Sequence, residues 1–124
     1  MDIKLIETHV VNLDHQLSEK GWRSPTCEFD VSANGMRLWV RADHPISDSY
    51  NDKAHKIFRG EDLTQMFVEA RAYIRNLPTA EAAELDEYRR ALSRTIELGA
   101  KYGFDVELLR QHAEAIAENA ITAA

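Results

Sequence analysis

Apolar residues recur along the chain at two different periods, and the change of period separates helix from sheet. Ile3, Ile6, Val10, Leu13 and Leu17 are spaced by threes and fours, the stripe of an amphipathic helix of about five turns. Lys20 stands near its end and Gly21 suits the position just past it, so a helix within residues 1–22 is predicted, with Trp22 folding back on the last turn. From Cys27 to Ala33 and from Met36 to Ala42 the period falls to two, as in a strand with one buried face. Asn34-Gly35 lies between these runs and is a strong hairpin signal.

A two-residue type I′ turn at Asn34-Gly35 sets a register. Ala33 then pairs with Met36, Val31 with Leu38, Phe29 with Val40 and Cys27 with Ala42, all on an apolar face. Ser32 with Arg37, Asp30 with Trp39 and Glu28 with Arg41 make the polar face. Slipping by one residue would reverse every side chain, so the sorting of the faces supports the hairpin.

Residues 43–52 are polar and turn-rich. Residues 53–59 follow as a third strand whose charges suit an edge. Helical stripes return over 62–77 (Leu63, Met66, Phe67, Ala70, Ile74, Leu77), 80–102 (Leu85, Tyr88, Leu92, Ile96, Gly99) and 106–121 (Leu108, Leu109, His112, Ala113, Ile116, Ala120). Thr79 and Asp105 are cap candidates, Pro78 and Gly103 are stops, and Phe104 is expected to pack beside Gly103. The tail from Ile121 is expected to fray. The fold class is α+β: an N-terminal helix, a three-stranded antiparallel sheet over 26–59, then three C-terminal helices, in one domain of residues 1–124.

Bulk composition adds boundaries. At 124 residues and 44% hydrophobic, the chain can bury a core without staples. No apolar run reaches the length of a membrane span, and Met1-Asp2-Ile3-Lys4 lacks the features of a secretory leader, so a cytoplasmic protein with no membrane partner is expected. Cys27 is alone and on the apolar strand face, which makes it a buried hydrophobe rather than a nucleophile. The net charge of −6 is concentrated late: residues 61–124 hold twelve acidic and seven basic groups. That works against nonspecific nucleic-acid binding by the C-terminal helices.

Chemistry is sparse. The chain has no Gly-rich phosphate loop, HExxH, CxxC or Gly-x-Ser-x-Gly elbow. No catalytic residue, no metal ligand and no cofactor is assigned, and binding rather than catalysis is the favoured reading. Asp43, His44, Asp48, Asp52 and His55 could in principle hold an ion for a small metal-dependent enzyme, but turns favour such residues for backbone reasons alone. His9, His15 and His112 have no partner at a fixed spacing. Glu84, Glu87, Arg90, Arg94 and Glu97 read as a solvated helix face laced with ion pairs. Arg37, Trp39 and Arg41 alternate along one strand and project from one face, with Arg59 on the next strand. An aromatic between two arginines is a contact surface for protein or nucleic acid.

The order helix, three strands, helix over residues 3–77 resembles the double-stranded-RNA-binding domain in topology. Such domains begin their last helix with lysines. Here that position reads Gly60-Glu61-Asp62-Leu63, so the RNA-binding role does not carry over. Phe58-Arg-Gly-Glu-Asp-Leu-Thr, Pro78-Thr79, Glu84, Tyr88-Arg-Arg-Ala-Leu, Ile96-Glu-Leu-Gly and Gly103-Phe-Asp-Val-Glu-Leu-Leu resemble stretches of small uncharacterised phage and prophage proteins. That resemblance implies a cytoplasmic accessory protein of mobile DNA and supplies no catalytic residues. The apolar stripes exceed what one face of a three-stranded sheet can cover, so a protein partner or a second copy in a homodimer is expected. A nucleic-acid module using Arg37, Trp39, Arg41 and Arg59 is the alternative.

Overall fold

Asp2 accepts the Leu5 N–H at 2.8 Å and so starts α1 (Ile3–Glu19), satisfying one of the donors that a helix leaves open. A computed structural model describes residues 2–123, with side chains as far as Glu118. After α1 come β1 (Arg23–Ser32), β2 (Gly35–Asp43), a 3-10 turn (Tyr50–Asp52), β3 (Ala54–Gly60), α2 (Leu63–Arg75), α3 (Ala80–Lys101) and α4 (Glu107–Ala123). The α+β order expected from the sequence is the order found. Met1 lies outside the described residues, and so does the side chain of Ala120. Helix α4 runs to Ala123, past the fraying expected from Ile121. The chain divides into two compact units, one ending at Ala83 and one beginning at Glu84.

In the first unit the strands form an antiparallel sheet ordered β1-β2-β3, so β1 and β3 are edges. Leu13 and Leu17 of α1 and Met66, Phe67, Ala70 and Ile74 of α2 are buried with Cys27, Leu38, Val40, Ala42, Ala54 and Phe58 of the sheet. The helix residues are predicted stripe positions, and Cys27, Leu38, Val40 and Ala42 belong to the predicted apolar face of the hairpin. Ile3, Val31 and Ala33, expected on the same faces, are exposed because they lie at or just past the ends of their elements, beyond the core.

The hairpin register is corrected by two residues. Val31 pairs with Met36, Phe29 with Leu38 and Cys27 with Val40. On the other face Asp30 pairs with Arg37, Glu28 with Trp39 and Thr26 with Arg41. The expected Glu28–Arg41 pair is therefore not formed. Ala33 and Asn34, rather than Asn34 and Gly35, are the central turn residues. Neither has a positive φ, whereas Gly35 lies at +114°, so the type I′ turn, which needs two positive φ values, does not form. Ser32 first and Gly35 fourth suit a type I turn. The Ser32 hydroxyl accepts the Asn34 N–H and donates to the Gly35 carbonyl, both at 3.3 Å. A two-residue slip keeps each side chain on its face, so the binary pattern survives the change.

Helix α1 ends in a Schellman motif. The Gly21 N–H bonds the Ser18 carbonyl at 2.9 Å and the Trp22 N–H bonds the Leu17 carbonyl at 3.1 Å. Gly21 takes φ +86°, and a Cβ there would lie 2.5 Å from that of Ala80, so both backbone and space require glycine. Trp22 folds back and is buried as expected, with its indole N–H donated to the Pro78 carbonyl at 2.9 Å. Lys20 reaches the end of α2: its ammonium donates to the carbonyls of Ile74 at 2.9 Å, Arg75 at 2.5 Å and Leu77 at 2.5 Å. Its own carbonyl accepts the Ala80 N–H at 2.8 Å.

In the second unit the Gly103 N–H bonds Ala100 and the Phe104 N–H bonds Gly99, at 3.2 and 2.8 Å, closing α3. Phe104 does not make the expected packing contact, being 71% exposed; Val106 is buried instead, in the space left by Gly99. Asp105 accepts the Glu107 N–H at 3.0 Å at the start of α4. Of the α3 stripe Leu92 is buried and Leu85 and Tyr88 are exposed, and on α4 Leu108 is exposed where burial was expected. Arg90 pairs with Asp86 at 2.9 Å and Glu87 at 3.8 Å, as a solvated face would. Among the described residues no helix is long and apolar enough to cross a membrane.

Replacing the Lys20 ammonium leaves three carbonyls short of a charged donor. Lys20→Met is expected to lower unfolding free energy by about 2 kcal/mol, from the worth of hydrogen bonds to a charged group. Urea denaturation followed by circular dichroism measures it, and a change within error of zero would show that these bonds contribute nothing.

Candidate functional site

The face of the sheet turned away from α1 and α2 carries three cross-strand rows. Asp30, Arg37 and Arg59 form one, Glu28, Trp39 and Ile57 the next, and Thr26, Arg41 and His55 the third. The pleat places them all on one side. The register thus brings together all four residues singled out in the sequence: Arg37, Trp39, Arg41 and Arg59.

Trp39 is partly buried by its own neighbours. The Arg37 guanidinium lies 5.6 Å and that of Arg41 4.6 Å from its ring centroid, a double cation–π arrangement. The His55 ring is 6.2 Å away, tilted by 31°. Arg37 is held by a bidentate pair with Asp30, Nε to Oδ1 at 2.9 Å and Nη2 to Oδ2 at 3.0 Å. The hydrogen bonds from Arg37, then its charge, then a bond from the Trp39 indole, keep the Asp30 carboxyl below its ordinary value against some desolvation. Arg41 and Arg59 make no ion pair among the described residues.

At the His55 end the face opens into a shallow cavity of about 390 Å³. Arg41, His55, Tyr50 and Lys53 line it together with Ser24 and Thr26. The β1–β2 register shifts between Arg23 and Thr26, and Ser24 takes φ +50°, a conformation uncommon for any residue but glycine. The exposed Tyr50 ring lies under the Lys53 ammonium at 5.7 Å. Sequence reasoning missed Ser24 and Tyr50, because neither a left-handed serine nor a tyrosine at a loop end has a sequence signature.

The residues of the 43–55 segment are occupied with holding the loop. Asp43 pairs with Lys53 at 3.4 Å, and Asp48 with Arg23 at 2.9 Å. Asp52 accepts the Ser47 hydroxyl at 2.6 Å. His44 Nδ1 accepts the N–H groups of Ile46 and Ser47 at 3.2 and 3.0 Å, and its ring packs on Trp22. Among the described residues no group of three His, Cys, Asp or Glu side chains is placed to hold a metal ion. The His9 ring packs against Phe67 with centroids 5.0 Å apart. His112 is exposed, with its Nε2 2.6 Å from the Tyr88 hydroxyl. Cys27 is buried. Burial first, then the neighbouring Asp14 carboxylate, pushes its thiol up to about 12.

No family model, no curated protein and no solved structure matches the chain.

The depressed Asp30 carboxyl predicts an acid transition at Trp39. The clamp is complete above the ordinary carboxylate range, and its stabilisation is lost as pH falls through the lowered native value. In a Trp22→Phe background, Trp39 fluorescence should change with a midpoint below that of a free carboxylate, and Asp30→Asn should abolish the transition. A midpoint at or above the ordinary value would refute the clamp.

The raised Cys27 thiol acts in the opposite sense. Its contribution is intact below the unfolded thiol value and is lost as pH rises from about 9 towards about 12. Over that window stability should fall by up to ~1.4 kcal/mol per pH unit from this group. Cys27→Ala should flatten the slope in paired urea titrations, and equal slopes would exclude the effect.

Proposed function

We propose that this chain is a non-enzymatic binding module that contacts an acidic protein segment through the Arg37–Trp39–Arg41 face of its sheet. The observation that carries this reading is the Trp39 ring set between two guanidinium groups on a face that α1 and α2 leave uncovered. Tryptophan and arginine dominate the energetics of protein contacts because they combine large area with directed donors. Asp30 holds Arg37 in place before any partner arrives, which lowers the entropy lost on binding. Arg41 and Arg59 remain to receive carboxylates.

The same cations and aromatic support a nucleic-acid reading. Glu28, Asp30 and Asp43 share the face with them, and the chain carries a net charge of −6. A protein segment whose separate carboxylates can seat on Arg41 and Arg59 between these acids is therefore preferred to a continuous phosphate backbone. A second copy is included among protein partners, and light scattering separates it from a foreign one.

Peptide display against the chain, followed by affinity measurement on the selected peptides, tests the proposal. Acidic sequences are expected, with Trp39→Ala and Arg41→Ala each weakening them by about tenfold or more, the loss of ~1.4 kcal/mol, measured at a temperature where circular dichroism shows both variants folded. Peptides indifferent to both substitutions would overturn it. Tight, salt-sensitive binding of an oligonucleotide that depends on Arg37 and Arg41 would transfer the face to nucleic acid.

A further inference from the structure

The free edge of β1 is half closed. The Cys27 N–H does not join β2; it donates to Asp14 Oδ1 of α1 at 2.9 Å. In an antiparallel ladder the residues that turn away from the partner strand alternate. Phe29 and Val31 share the parity of Cys27 in an unbroken register, paired with Leu38 and Met36. Their N–H and C=O groups therefore face outward, with no strand beside them, and no partner for them is found among the described residues.

The side chains at this edge are apolar. Val31 is on the core face yet 69% exposed, and Ile3 at the start of α1 is 75% exposed. Between α1 and β1 runs a groove of about 440 Å³, with Ile6, Val10 and Phe29 on its walls. Glu7 and Glu28 also line it, and neither has an ion-pair partner among the described residues. Unpaired backbone and an apolar trough thus lie side by side, with the exposed Glu7 on the α1 side and the exposed Glu28 side chain on the other face of the strand.

We infer that β1 receives an extended segment of a partner protein as a fourth strand, one that alternates apolar and basic residues. The added strand satisfies the Phe29 and Val31 backbone groups. Its apolar side chains enter the groove against Ile6, Val10 and Phe29, and its basic side chains lie on the opposite face, as the period of two requires. There they meet Glu28, the carboxylate without an ion pair among the described residues. Charge and strand length select this occupant over a second copy. Antiparallel pairing of two β1 strands about Phe29 sets Glu28 against Asp30, and pairing about Glu28 or Asp30 sets like against like. Pairing about Val31 avoids this but carries Phe29 onto Ala33, which lies in the turn and not in a strand.

A synthetic heptapeptide alternating lysine and valine is the probe, with a glutamate–valine heptapeptide as its counterpart. The lysine peptide should bind saturably by fluorescence anisotropy, about tenfold or more tighter than the glutamate peptide. It should slow amide exchange at Phe29 and Val31 and leave the β3 amides unchanged. Val31→Pro removes one outward donor without touching the β2 ladder, a substitution that edge strands tolerate, and should weaken the lysine peptide by a similar factor. Glu28→Lys changes only an exposed side chain and should reverse the preference between the peptides. Absence of saturable binding, exchange protection elsewhere, or an unchanged preference in Glu28→Lys would each overturn the inference. So would a β1-mediated dimer of the free chain.

Discussion

The carbonyl groups at the end of α2, of which Ile74's also accepts the Leu77 N–H at 3.1 Å, set the main constraint on the first unit. A helix leaves its last four carbonyls without partners, and burying them uncompensated costs more than most single contacts return. Here one ammonium group answers three carbonyls in the 74–77 segment, and it comes from Lys20 at the end of α1. Adjacent residues extend the junction: Gly21 permits the turn against Ala80, Trp22 donates to Pro78, and the Lys20 carbonyl receives Ala80. Three consecutive residues thereby anchor two helix ends and the start of β1. Burial and the nearby Arg75 charge lower the Lys20 pKa, so the same contacts that close α2 also strip water from the cation.

Much of this frame was legible because the relevant signals are local. The stripe Leu63 to Leu77, the cap residues Thr79 and Asp105, and the stops at Gly21 and Gly103 act within a few positions of themselves. The role of Lys20 was not, since a lysine near a helix end looks like a complement to its own helix dipole, and here it serves another helix. The hairpin register failed for a different reason. Asn-Gly favours type I′, but Ser32 and Gly35 three apart also fit type I, and both choices place the same residues inside. Burial cannot distinguish registers that differ by two, so a sequence reading based on faces had no means of choosing between them.

The candidate face was legible in composition and not in arrangement. Alternation put Arg37, Trp39 and Arg41 on one side, and it could not say which acid would meet which base. The two-residue correction decides this. It puts Asp30 opposite Arg37, leaving Glu28 beside Trp39 and Arg41 without an ion pair. One arginine is therefore fixed while the other is left to a ligand, a division of roles that a Glu28–Arg41 pair would have removed. The bulge between Arg23 and Thr26, with Ser24 at a positive φ, bounds the face at one end and opens the cavity there.

An open strand edge with apolar side chains invites uncontrolled pairing, and sheets usually blunt such edges with charge or cover. On β1 the cover is partial: Asp14 closes the Cys27 donor. The remaining protection is electrostatic, because Glu28 and Asp30 alternate on the face where a second β1 would bring its own acids. Acids that discourage self-pairing do not discourage a strand bearing lysine or arginine; they favour it. Glu28, which has no ion pair among the described residues, can thus both discourage the chain from pairing with itself and bias the edge towards a partner of opposite charge. On the proposed readings, the Trp39 face takes acidic partners through Arg41 and Arg59, and the β1 edge takes basic ones through Glu28. The two surfaces would then recognise chemically opposite segments, and a partner carrying both could engage them together only if its acidic and basic stretches were spaced to span from the edge strand to the central strand.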